Sequence, residues 1–167
     1  MSVITRDASS LIWYILKEAN YASGVRSMLI GGASSILEAG DIDAGKLTSL
    51  ERLRENTSGG LHDVALCISV QDAGEAPTEN QGIVEQSVIV RVYDRKRGYR
   101  NIREVRAALI SLLRRKGASM NFGAGLGVGL LSLSYSGERS GHRYDPSFAV
   151  EFESIVFQAI VKLEEVY

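Results

Sequence analysis

Cys67 is the only cysteine in this chain of 167 residues, so no internal disulfide forms and a reducing cytosol is the expected setting. Histidine is nearly as scarce. His62 and His142 lie far apart in sequence, and with one cysteine they fall short of a closed zinc site unless carboxylates complete it. No run reaches the roughly 18 apolar residues that a bilayer-spanning helix needs, so no membrane contact is expected. Met1 to Asp7 is polar and lacks the basic and apolar regions of a secretory signal. The glycosylation acceptor Asn56-Thr57-Ser58 therefore carries almost no weight. No phosphate loop with Gly-Lys-Ser/Thr and no nucleophile-elbow spacing occurs. The expectation is a protein without cofactor, metal or catalytic set, and not an enzyme.

What is present is the composition of a globular protein, 45% hydrophobic and 23% charged, at a length that suits a single domain over residues 1–167. The net charge of −1 hides a strong asymmetry. Residues 1–90 hold 6 Lys/Arg against 12 Asp/Glu, residues 91–116 hold 10 against 2, and residues 117–167 hold 3 against 6. A basic band between acidic flanks suits complementary contacts between copies or with partners.

Apolar periodicity places a first helix over Thr5 to Tyr21, with Ile12, Ile15, Leu16 and Ala19 as its stripe and Gly24 as its stop. Residues 25–62, rich in Gly and Ser, read as loop apart from one short helix around 44–55 that carries Leu47, Leu50 and Leu53. Residues 64–70 and Val84 to Tyr93 read as strands joined through a long loop, Asp72 to Gly82, and paired antiparallel; Val88, Val90 and Val92 share one face. Asn101 is the expected N-cap of a second main helix that ends at Gly117, with Glu104 returning the cap. Ile102, Val105, Leu109 and Leu112 form its buried stripe. Leu130 to Tyr135 reads as a strand. Phe148 to Leu163 fits a helical stripe as well, but its Phe, Val and Ile content favours a long strand. The sum is an α+β fold, an antiparallel sheet of about four strands with two main helices packed on it.

Three features invite chemistry. The glycine-rich run from Phe122 to Gly129 follows a helix and precedes a strand, the reverse of the order that brings helical N–H groups to a phosphate, so a connection is the better reading. His62-Asp63 near Cys67, and His142 near Asp145, make neither a metal site nor a triad by spacing. Arg95-Lys96-Arg97-Gly98-Tyr99-Arg100 is the sharpest local charge. It suits phosphates and stacked bases, but its acidic flanks favour a protein partner.

The unit Val88-Ile89-Val90-Arg91-Val92-Tyr93-Asp94, then Gly98-Tyr99-Arg100-Asn101-Ile102 opening an amphipathic helix, resembles the tail terminator (tail completion) proteins of long-tailed bacteriophages. So does the stretch from Gly129 to Glu138, followed by Tyr144-Asp145 and a β-rich end. The resemblance implies a non-enzymatic virion protein, made in the host cytoplasm. Its copies would form a ring, usually of six, that caps the tail tube, ends its growth and offers its other face to the head-side connector. The partners implied are other copies of the chain, the tail tube protein and the connector or neck protein, with DNA passing through the lumen. A head–tail neck protein and a nucleic-acid-binding module using residues 91–116 are the competing readings. The residues chosen as contacts are Arg95, Lys96, Arg97, Tyr99 and Arg100 in the basic loop, and Glu75, Glu79, Glu138, Arg139 and Arg143 in two polar loops.

Overall fold

The computed structural model describes residues 7–56, 64–80, 82–95, 99–116 and 128–163. Helix α1 (Ala8–Glu18) begins where the Asp7 carboxylate accepts the Ser10 N–H at 2.8 Å, and it buries Leu11, Ile12, Ile15 and Leu16. It is shorter than its periodicity suggests. The chain breaks at Ala19 and continues through a 3₁₀ turn into the short helix α2 (Ser23–Ser27), so Gly24 lies inside a helix instead of ending one.

Strands β1 (Ile36–Glu38), β2 (Cys67–Pro77), β3 (Ile83–Asp94), β4 (Val128–Arg139), β5 (Arg143–Asp145) and β6 (Val150–Leu163) form one mixed sheet. Its order is β1-β2-β3-β6-β4, with β5 beside the first residues of β6. Only β1 and β2 run parallel. The expected sheet of about four antiparallel strands is thus corrected to six strands, mixed. β1 and β5 are three residues each, too short to show alternation, and β1 lies in the Gly- and Ser-rich stretch read as loop. The loop expected from Asp72 to Gly82 is mostly strand, since β2 stays paired with β3 as far as Pro77 opposite Val84.

The ambiguous C-terminal segment is the central strand β6, paired with β3 along one side and with β4 and β5 along the other. Ile155, Phe157, Ala159 and Val161 point to the covered face, while Val156, Gln158 and Ile160 point away from it. The apparent helical stripe therefore divides between two faces.

Helix α4 (Arg100–Lys116) buries Ile102, Val105, Leu109 and Leu113 on the same sheet face as α1. It starts two residues earlier than expected. Asn101 is buried in its first turn instead of capping it, and Glu104 pairs with Arg100 at 3.0 Å. The opposite face of the sheet is covered at one end by helix α3 (Ala44–Asn56). There Leu47 and Leu50 meet Leu37, Cys67, Tyr93 and Val150 in a second apolar cluster.

Candidate functional site

The buried, alternating positions of β3, Val88, Val90 and Val92, lead to Asp94, which is 2% exposed. Three groups hold its carboxylate. The Arg95 N–H donates at 2.8 Å, Asn101 Nδ2 at 2.7 Å and Arg54 Nη1 at 2.9 Å. Asp94 thereby joins β3, α3 and α4 at one point. The Arg95 side chain turns the same way, with Nη2 donating to the Phe148 carbonyl at 3.4 Å and Nη1 lying 3.9 Å from Glu51.

A second buried carboxylate stands on β6. Glu153 is fully buried in register with Ile155 and Phe157, and it accepts from the Tyr99 hydroxyl and from Arg106 Nη1 at 2.9 Å. Arg139 Nη1 is 3.6 Å away. Burial pushes the Tyr99 phenol well above its ordinary pKa, and its hydrogen bond to Glu153 and that carboxylate's charge add to the rise. Tyr99 sits at φ 66°, a left-handed conformation that the surrounding contacts hold. Its ring stacks on His142 at 3.9 Å, and His142 Nε2 lies 3.4 Å from Glu151.

The chosen contact residues therefore fall into different places. Tyr99 and Arg139 converge on the buried Glu153, Arg95 turns toward Glu51 and the Phe148 carbonyl, and Arg100 is exposed on α4 with its partner Glu104. Lys96 and Arg97 lie outside the described residues, as do His62, Asp63 and residues 122–127 of the glycine-rich run. Glu138 and Arg143 are exposed near the Tyr99 end, where Arg143 Nε donates to the Ser140 carbonyl at 3.4 Å. Glu75 and Glu79 lie near the other end of the sheet, with most of β3, about 30 Å of strand, in between. Glu75 belongs to β2 and accepts from Gln86 Nε2 at 2.7 Å; Gln86 Oε1 in turn accepts the Ala8 N–H at 2.7 Å. Glu79 is exposed in the tip of the β2–β3 hairpin.

Sequence reasoning missed the anchors themselves, Arg54, Asp94, Asn101, Arg106 and Glu153. A signal was there. Asp94 and Glu153 continue the buried period-two series of their strands, where a charge demands a partner.

Burial pushes the Cys67 thiol up to about 12, so it stays protonated and unreactive. His142 meets Glu151 and Tyr99, not Asp145. Among the described residues no group of three His, Cys, Asp or Glu is placed to hold a metal ion, and no helix is long and apolar enough to cross a membrane.

Among the described residues, no strand covers the full length of either sheet margin. β1 covers β2 only as far as Val70, so Gln71 to Pro77 offer an edge, and β4 has no strand on its outer side among the described residues.

No protein-family model matches the chain, and no curated protein matches it. Among solved structures, a chain from the virion of a native gene transfer agent particle shares its fold, with a TM-score of 0.58 over 93% of this chain and 94% of that one, at 14% identity.

Proposed function

We propose that this chain is a structural component of a phage-like virion, and within it a tail terminator whose copies form a ring, cap the tail tube and meet the head-side connector. The observation that carries the proposal is the fold shared with a gene transfer agent virion chain over nearly the full length of both. The open margins of the sheet support it. An edge strand left bare invites further pairing, and a closed ring is the arrangement that uses every edge. The partners follow from that role: other copies, the tube protein and the connector. No catalysis is assigned. The nucleic-acid reading is weaker, because Arg95 and Tyr99, the cation and aromatic it would use, are turned toward Glu51 and Glu153.

Electron microscopy of particles assembled without this protein tests the proposal. Overlong tails, or tails unjoined to heads, are expected. Tails of normal length beside unsealed heads would assign the chain to the neck, and normal particles would remove the virion role altogether.

A further inference from the structure

The two lateral margins of the molecule carry opposite charge. On the β1/β2 margin, Glu38, Asp72 and Glu75 fall on the face that α1 covers, since Glu38 pairs with Val70, Asp72 with Val88 and Glu75 lies beside Gln86. With Asp7, Trp13 and Gln71, two of these carboxylates line a hollow of about 290 Å³. Asp7 adds a firm negative charge. Burial opposes that charge, but hydrogen bonds from Ser10 and Ser9 outweigh it and hold its pKa below the ordinary aspartate value.

Across the sheet, α4 lies over β4 on the same face. Ala108 and Leu112 look toward α2, where they line a hollow with Val25 and Met28. At 100° per residue, Arg103, Arg106 and Ile110 then look the other way, over the β4 margin. Arg106, Ala107, Ile110, Ser111 and Arg114 line a shallow groove on the outer side of α4 next to that margin, and Arg103 lines the next one along the helix with Arg100 and Glu104. Arg103 and Arg114 are exposed, and Ile110 is half-buried.

The geometry points to a head-to-tail contact between copies, in which the basic flank of α4 and the β4 edge of one subunit receive the acidic β1/β2 margin of the next. This rests on the ring reading above and specifies which surfaces close the ring. Both margins belong to one sheet and one helical layer, so laying sheets edge to edge, with the turn between neighbours that a ring requires, sets the carboxylates against the arginines. The two surfaces differ from each other, so the contact continues from copy to copy instead of stopping at a dimer, and it closes into a ring where the rotation between neighbours completes a full turn. Ile110 and Ala107 supply an apolar centre, and the charges set the register.

Two double variants test it, R103E/R114E on the basic flank and E38K/E75K on the acidic margin, each checked for wild-type circular dichroism. Sedimentation velocity follows assembly with and without tail tubes. Either variant alone places like charges at every contact, so its assembly threshold rises about tenfold or more above the wild type. An equimolar mixture restores rings, because alternating subunits put unlike charges at every contact. A variant that assembles at the wild-type threshold, or a mixture of two folded variants that stays monomeric, overturns the contact. Should a variant unfold, the wild type decides. Its rings are expected to weaken from about 0.05 to about 0.5 M salt, and rings indifferent to salt overturn the contact. A wild type that stays monomeric under all these conditions refutes the ring reading, and this contact with it.

Discussion

The Arg54–Asp94 pair gives the sharpest test of how this molecule holds together. Its side chains are 7% and 2% exposed and 2.9 Å apart. Arg54→Met keeps the apolar stem and removes the cation. Asp94 then retains the Arg95 N–H and the Asn101 amide, but among the described residues its charge is buried beside no full positive charge at that distance. Removing one partner of a buried pair costs about 3–5 kcal/mol. For a chain of this size that lowers Tm by roughly 6–20 °C. Asp94→Asn leaves the converse, a buried guanidinium facing an amide, with a similar loss. The double variant R54M/D94N has neither stranded charge, so its loss falls below the sum of the single losses by about 1.5–3 kcal/mol. Urea unfolding followed by circular dichroism measures all four proteins, at a concentration low enough that assembly adds no stability. Additive losses, or single losses under about 0.5 kcal/mol, would refute the reasoning. Either would mean that Asp94 is held by its two N–H donors and the arginine adds only bulk.

The remaining predictions concern single groups. Tyr99→Phe removes one donor from the buried Glu153 carboxylate while Arg106 and Arg139 stay, so a loss of about 1–3 kcal/mol is expected by the same unfolding measurement. Asp7→Ala removes the N-cap of α1 and costs about 1 kcal/mol at neutral pH. The folded pKa of Asp7 lies below its ordinary value of 3.8, so the contribution of its charge is present above that value and fades as pH falls through the lower folded one. Urea midpoints of wild type and variant should therefore converge toward acid. Cys67, with its thiol raised to about 12 by burial, should resist iodoacetamide in the native protein and react once urea unfolds it, which mass spectrometry reads directly.

Much of the secondary structure was legible because it is governed by short-range periodicity. Val88, Val90 and Val92 announce a half-buried strand, and Ile102, Val105 and Leu109 announce a helix resting on it. Leu47 and Leu50 marked α3 although the surrounding residues read as loop. The segment from Phe148 onward was harder. Its residues fit two periods, and only pairing on both sides shows that Phe152 and Ile155 belong to opposite faces.

The candidate contacts were less legible. A basic run reads as a surface offered to a partner because sequence shows charge without showing what lies across from it. Glu51 is 44 positions from Arg95 by way of a different helix, and Glu153 reaches Tyr99 across 54 positions.

By itself, then, the sequence determined the α+β character, the two long helices, the central strands and the acidic–basic–acidic distribution of charge. These follow from neighbours within a few residues or from plain counting. Tertiary structure alone decided that β1 joins β2 in parallel, that β6 lies at the centre, and that Asp94 and Glu153 are anchors. It also decided that acidic and basic residues distant in sequence gather on opposite margins of one sheet. The physical reason is the same in each case. Strand partners and ion pairs are chosen by packing across the fold, where chain separation has no bearing on distance.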